Sequence, residues 1–377
     1  MTAIVSGDQD TARSVAALCR EGTGSVLTVD RTRVVVLVGG RSSEHSISCI
    51  SGRSIIAALD PARYDVRVVG IRRDGAWVAD ALRGPGVIVD TDALPEVSGA
   101  ALPITVERAL DADVVFPVLH GPWGEDGTVQ GMLETLGVPF VGSGTLSSAV
   151  CMDKGFMKSL LRASGLDVGR YVVVTDRRWR DEPDGVLDEI SGLGLPVFVK
   201  PCRAGSSLGI SLVREASGLV PAIEEARTHD PRIIVEAAVV GAREIECGVL
   251  AEADGRPVAS RCAEIVVGAR HEFYDFEAKY LDDSATLIVP AALESNVEDE
   301  VRAMARAAYD ALACEGLARV DFFLRPGGGV VLNEVNTMPG FTSISMYPRM
   351  WEESGVPYPE LVDRLVGDAL RKGTALR

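Results

Sequence analysis

A chain of 377 residues with a net charge of −16, 47% hydrophobic and 24% charged residues has the composition of a globular protein long enough for two or three domains, each with its own core. The acidity opposes attraction to a polyanion, which argues against nucleic acid as a partner, and no apolar run approaches the roughly 20 residues that a membrane-spanning helix requires. Seven scattered cysteines without C-x-x-C spacing and only four histidines point to reduced thiols and away from zinc, so any metal is expected to be a hard ion on oxygen ligands.

The first residues lack both a basic n-region and an apolar core, so no secretion is expected. Residues 1–32 read as a polar extension in which only "TARSVAALCRE" has helical spacing. Regular structure is expected from Arg33: "RVVVLVG", "DVRVVGIRR", "DVVFPVLH" and "VPFVG" read as buried strands, alternating with helices near 46–59 and 127–136. That alternation predicts a parallel α/β domain over 33–150. "SSAVCMDKGFMKSLLRASG" predicts one helix closed by Gly165. With "YVVV", a charged helix, "LPVFVKPCRAGSSLGISLV", another helix and "RIIVEAAV" it makes a smaller α+β unit over 151–236. Residues 237–377 hold further strands, an irregular stretch at 268–288, a helix over 296–314, the strands "LARVDFFL" and "GGVVLNEVNTMPG", and a terminal amphipathic helix, "YPELVDRLVGDALR".

Three segments carry chemistry. A glycine-rich turn after a buried strand usually admits a phosphate, yet "VVVLVGGRSSEHSIS" places Glu44 there. A carboxylate repels phosphate and suits a cation, so either the nucleotide lies elsewhere or the turn is structural. In "VFVKPCRAGSSLGIS", Lys200 closes a β-rich run and is followed by small residues that let backbone N–H groups approach an anion. It is no Walker A loop, and a plain hairpin fits the same residues. "ARVDFFL" and "LNEVNTMPG" supply Asp321, Glu334 and Asn336, the last two on one strand face at i, i+2. These oxygens suit magnesium shared with phosphates and waters, or form a solvated strand end. Arg319, two residues before Asp321, either neutralises an oxyanion or pairs with Asp321 as structure.

"GGRSSEHSIS", "HGPWGEDGTVQG", "MDK", "VKPCRAGSS", "FYDFEAKY", "RVDFF" and "NEVNTMPGFTSISMYP" follow one another in an order and spacing that resemble the D-alanine:D-alanine ligases of the ATP-grasp superfamily, from Arg33 to Arg371. The resemblance implies a three-domain α/β and α+β ATP-grasp fold and a cytoplasmic, homodimeric enzyme. Its substrates would be ATP and D-alanine, with two magnesium ions that manganese can replace. By position it implies that Glu44 receives the ammonium of the first D-alanine, which explains the carboxylate in the turn. Lys154, Lys200, Ser207, Glu236, Val239, Glu244, Lys279 and Asn333 would bind ATP. Asp321, Glu334 and Asn336 would hold the metals. His120 would seat the first D-alanine, Ser345 and Met346 the carboxylate of the second, and Arg319 with the Gly340 amide an oxyanion. Tyr280, in the polar and aromatic lid "ARHEFYDFEAKYLDD", would link through Ser206 to Glu44.

The implied reaction makes D-alanyl phosphate, which the second amine attacks to give D-alanyl-D-alanine for peptidoglycan. Relatives that take D-lactate carry a histidine in the lid, whereas this lid is complete, so an amine nucleophile is expected. The alternatives are a D-alanine:D-lactate or D-alanine:D-serine ligase, or a second copy serving resistance to a D-alanine mimic such as cycloserine. A non-catalytic ATP-binding module is disfavoured because every matched ligand and lysine is present. The chain departs from the family pattern at Ala237, where many relatives have lysine, in "VVGARE", one residue longer than usual before Glu244, and at Ile344, where some have histidine.

Overall fold

Val34 to Val38 are consecutive branched aliphatic residues, a pattern that suits a strand covered on both faces, and all of them are buried. They form the centre of β1 (Thr32–Gly39). The structure, a computed structural model, describes residues 31–79, 86–91, 94–205, 208–267 and 285–374. After β1 come α1 (His45–Ala58), β2 (Tyr64–Ile71), β3 (Trp77–Ala79), β4 (Ile88–Val89), β5 (Glu96–Val97), β6 (Leu102–Pro103), α2 (Val106–Ala109), β7 (Val114–Pro117) and α3 (Thr128–Thr135).

The first sheet has the order β6-β3-β2-β1-β7, and β4 pairs only with β5. β1 runs parallel to β2 and β7. The parallel sheet expected here gains an antiparallel edge, β3 and β6, because a tight turn at Gly75, with φ of 91°, can join only antiparallel strands. "VPFVG" was expected as a strand but supplies a single bridge, Val115 to Phe140. Pro139 has no N–H to offer a ladder, and Gly142 at φ 100° turns the chain away.

The second sheet follows from α4 (Thr145–Met152), α5 (Lys154–Ala163), β8 (Tyr171–Thr175), α6 (Asp176–Asp181), α7 (Pro183–Ser191), β9 (Val197–Pro201), β10 (Ser211–Val213), α8 (Leu219–His229) and β11 (Arg232–Ala237). Its order is β10-β9-β11-β8, antiparallel throughout. The one helix expected across 147–165 is two. Asp153 leaves the helical region, at φ −89° and ψ 102°, and its carboxylate accepts from the Gly155 and Phe156 amides. It also meets Arg232 Nε at 3.0 Å. Capping two otherwise unpaired amides stabilises the new start of α5 by about 1 kcal/mol and sets Lys154 as its first residue.

The third sheet is built from β12 (Arg243–Ala251), β13 (Pro257–Val267), β14 (Ala285–Ile288), β15 (Leu317–Leu324) and β16 (Val330–Asn336), with α9 (Ser295–Ala311), α10 (Met346–Glu353) and α11 (Tyr358–Lys372). The order is β14-β13-β12-β15-β16, again antiparallel. Part of the stretch expected to be irregular, 285–288, pairs with β13 as β14; residues 268–284 lie outside the described residues. α10 was not anticipated. Its "MYPRMWEE" contains Pro348, which reads as a breaker but falls in the first turn, where its missing N–H removes no helical bond.

α5 lies against β16, where the Val335 N–H reaches Met157 Sδ at 3.3 Å. α11 returns to the first sheet: Leu361, Val362, Leu365, Val366 and Ala369 share a buried cluster with Val34, Val36, Ile55 and Phe116. Each such aliphatic side chain, fully buried, contributes about 1.5–3 kcal/mol. The last described helix is thereby pinned to the first sheet. All six described cysteines are buried and free of disulfides. No helix among the described residues is long and apolar enough to cross a membrane.

Candidate active site

A cavity of about 1050 Å³ lies among α5, β9, β11, β12, β15, β16 and the loops after β1 and β7. Every expected site residue within the described part of the chain lines it: Glu44, His120, Lys154, Lys200, Glu236, Val239, Glu244, Arg319, Asp321, Asn333, Glu334, Asn336, Gly340, Ser345 and Met346. Ser206, Ser207, Lys279 and Tyr280 lie outside the described residues. The volume exceeds what a drug-sized ligand needs.

One end is acidic. β15 and β16 pair Asp321 with Glu334 and Arg319 with Asn336, and a register shift follows Asp321. Such a bulge re-aims side chains at a strand end. Arg319 donates through Nε and a terminal nitrogen to both oxygens of Asp321, each at 2.7 Å, and its Nε is 3.3 Å from Glu246. Asn336 donates to Asp321 at 3.0 Å. Lys154 Nζ is 3.4 Å from Glu334 and donates to the Ala204 carbonyl at 3.2 Å. Burial opposes the charge on Lys154, but Glu334 and Glu236 outweigh it and hold the ammonium above its ordinary range. Among the described residues no three His, Cys, Asp or Glu side chains already converge as ligands. The donor set, two carboxylates and an amide, fits magnesium that completes its shell with phosphate oxygens and water.

The other end is basic. β9 and β11 bring Lys200 and Glu236 together, and α5 adds Lys158. Lys200 Nζ is 2.6 Å from Glu236 Oε2, and Lys158 Nζ is 2.8 Å from Oε1. Burial pushes the Glu236 carboxyl up, yet the two ammoniums prevail and bring it down to about 2.

At the third corner the glycine turn makes no phosphate cradle. The Gly39 N–H donates to Ser48 Oγ at 2.7 Å and the Gly40 N–H to the Ile71 carbonyl at 2.7 Å, so these amides already have internal acceptors. Glu44, at the start of α1, is 6% exposed and fills the gap between two backbones: a Cβ added at Gly121 or Gly205 would stand 2.6 or 2.5 Å from its Oε2. Burial lowers the basicity of His120 below that of a free imidazole, against the charge of Glu44; its Nδ1–H donates to the Met338 carbonyl at 3.1 Å, and Nε2 lies 3.1 Å from Ser51 Oγ. Both ring nitrogens are therefore engaged within the protein. Ser345 uses its hydroxyl on Thr342 Oγ1, 2.7 Å away, and makes no cap bond to α10, which leaves the first-turn amides of that helix to attract a carboxylate.

The D-ala D-ala ligase N-terminus family matches residues 33–143, and the D-ala D-ala ligase C-terminus family matches residues 160–367. The chain belongs to the D-alanine–D-alanine ligase family. Among D-alanine–D-alanine ligases, that of Mycobacterium sp. strain KMS is 54% identical over 92% of this chain and 98% of its own length. That of Streptomyces coelicolor is 51% identical over 92% and 95%. Among solved structures, the D-alanine-D-alanine ligase of Coxiella burnetii superposes with a TM-score of 0.76 at 34% identity, covering 91% of this chain and 95% of that one. The VanG D-Ala:D-Ser ligase of Enterococcus faecalis gives 0.77 at 34%, covering 90% and 99%.

Within this ligase-family cavity the sequence reading missed Glu125, Lys158 and Glu246. Glu246 shares a strand face with Glu244 at i, i+2, a signal present in "REIECG". Lys158 lies one turn beyond Lys154 on α5, also readable by spacing. Glu125 accepts from the Gly121 N–H at 2.7 Å, and burial first, then the charge of Glu44, pushes its carboxyl up to about 8. Nothing in "HGPWGEDG" distinguishes it from a solvated acid.

Proposed function

We propose that the chain joins two D-alanines at the expense of ATP, through D-alanyl phosphate, to supply the dipeptide of peptidoglycan. The observation that carries the reading is that all described residues expected from the family pattern line one cavity with separate acidic and basic ends. Lys154, Lys200, Val239, Glu244 and Asn333 bind the nucleotide, and Glu236 orients Lys200; Ser207 and Lys279 join them by resemblance alone. Asp321, Glu334 and Asn336 hold magnesium, which when bound neutralises phosphate charge as it shifts.

Glu44 takes the ammonium of the first D-alanine, a charge-assisted contact in a dry site. The carboxylate of that substrate attacks the γ-phosphorus, and ADP leaves. Arg319 and the Gly340 amide then stabilise the tetrahedral oxyanion formed when the neutral amine of the second D-alanine attacks the acyl carbon; one good donor contributes about 3–4 kcal/mol in such sites. Collapse of the oxyanion breaks the C–O bond, inorganic phosphate leaves, and the nitrogen gives up a proton. The second carboxylate rests at the N-terminus of α10 beside Ser345 and Met346. His120, with both nitrogens engaged, orients this corner through Met338 and Ser51. Tyr280 and Ser206 close over Glu44 by resemblance. Three lobes, 33–150, 151–236 and 237–377, divide the work, in a cytoplasm whose reducing conditions suit the buried free thiols.

Likeness of fold does not separate D-alanine from D-serine as second substrate, since both kinds of ligase superpose equally well. Identity above 50% to D-alanine–D-alanine ligases favours D-alanine. Purified protein given ATP, magnesium and D-alanine with equal D-serine and D-lactate at pH 7 is expected to yield D-alanyl-D-alanine as the main product by mass. A predominant mixed product would reassign the substrate, and the absence of ADP release would remove the reading.

A further inference from the structure

Lys158 lines the cavity but has no part in the reaction described above. Its side chain is 3% exposed, and Nζ meets Glu236 Oε1 at 2.8 Å while donating to the Val168 carbonyl at 3.2 Å. Lys200 Nζ holds the other oxygen of the same carboxylate at 2.6 Å and lies 5.4 Å over the Phe198 ring. The two lysines are not equivalent. Lys158 belongs to α5, which is fixed by the Asp153 cap and by Met157 against Val335, and its ammonium is anchored to a backbone carbonyl. Lys200 sits near the end of β9, four residues before Ala204, which with Gly205 lines the cavity.

An ammonium has three N–H donors, and for Lys200 to turn its charge to a phosphate chain its 2.6 Å pairing with Glu236 must weaken. A buried carboxylate left without a partner is strongly disfavoured. With Lys158 in place, the departure leaves an ion pair intact. Without Lys158, the state in which Lys200 is free becomes rare, and apparent affinity falls with the population of that state. We propose that Lys158 is a positioning residue, a fixed counter-ion that holds Glu236 so that the Lys200 ammonium can move from this carboxylate to the phosphate chain of the nucleotide. The proposal rests on the reading that ATP is a substrate.

The test compares Lys158→Met with the wild-type full-length chain, titrating ATP and, separately, adenosine, with magnesium present. The expected result is that ATP affinity falls about tenfold or more, with a matching rise in KM for ATP, while adenosine affinity shifts by less than about twofold. Adenosine has no phosphate for Lys200 to reach, so a merely structural defect in the cavity would weaken both ligands alike. Lys158→Arg, which keeps a cation against the Glu236 carboxylate, is expected to restore ATP affinity to within about threefold of wild type. Equal weakening of ATP and adenosine overturns the proposal. So does a folded Lys158→Arg variant that loses ATP affinity about tenfold with adenosine affinity unchanged, a result that stands even if Lys158→Met does not fold. Wild-type protein that binds neither ligand would instead overturn the ATP reading.

Discussion

The two ends of the cavity solve the same problem with opposite surpluses. At the β15–β16 end, the carboxylates of Glu246, Asp321 and Glu334 face two cations, Arg319 and Lys154. At the β9–β11 end, one carboxylate, Glu236, faces two ammoniums. Each charge is paired inside the protein, which keeps its burial tolerable. On the function proposed above, the leftover sign would select the ligand: cations at the first end, anions at the second. A ligand at either end would then compete with these ion pairs, so removing one member should disturb its neighbours as well as the ligand.

The largest effect is expected at the acidic end. Glu334→Gln keeps the shape but removes the surplus charge, so turnover should fall roughly 100-fold or more. The melting temperature should stay within about 3 °C of wild type. Steady-state rates across a magnesium series check this, and full activity at low millimolar magnesium would show that the acidic surplus serves only Arg319 and Lys154. Next comes the third corner, which belongs to neither end. Glu44→Ala should raise KM for the first D-alanine about 30-fold and alter KM for ATP by less than about threefold. A defect confined to ATP would move the anion site to the glycine turn.

The comparison extends to pH. Glu125 is raised from 4.5 to about 8, so between those values the folded chain keeps a proton that the unfolded chain has released. Stability contributed at this position therefore declines as pH rises from 4.5 to 8. Glu125→Gln removes that decline and should raise the melting temperature at pH 8, with the gain fading towards pH 5. Glu236 has the opposite sign. Lowered from 4.5 to about 2, it contributes stability that is fully present above 4.5 and lost only as pH falls towards 2. A melting profile in which Glu125→Gln gains most at pH 5 would contradict the assignment. The smallest effect should come from Asp153→Ala, which uncaps the helix that delivers a lysine to each end. A loss of about 1–2 kcal/mol in urea unfolding should accompany a modest rise in KM for ATP, and a loss at one end alone would uncouple the two.

Sequence pattern made the strands legible wherever burial is two-sided, as in β1, and the shared face of Glu334 and Asn336 legible through i, i+2 spacing on β16. It misread Asp153, because an aspartate between helical stretches reads as one more polar residue until its carboxylate is seen capping two amides. It also missed α10, whose Pro348 looks like a breaker, and gave no hint that α11 packs on the first sheet, since an amphipathic face does not name its partner. At the site, charge type was readable and pairing was not. Lys158 and Glu246 matter through partners on other elements, and the two-nitrogen grip of Arg319 on Asp321 is compatible with both readings that spacing left open.

The two glycines that flank Glu44 have a consequence for what this gene can become. Gly121 has φ 75°, so a side chain there meets both backbone strain and the carboxylate. Gly205 has no such backbone restriction, and alanine there meets only the crowding, with its Cβ 2.5 Å from Oε2. A Gly-to-Ala change is a single-nucleotide step, and a lone methyl group at residue 205 would crowd the Glu44 carboxylate, where the function proposed above seats a substrate ammonium. Lineages under selection for this activity should therefore lose that variant even where the protein folds, so residue 205 should drift less than its conformational freedom permits.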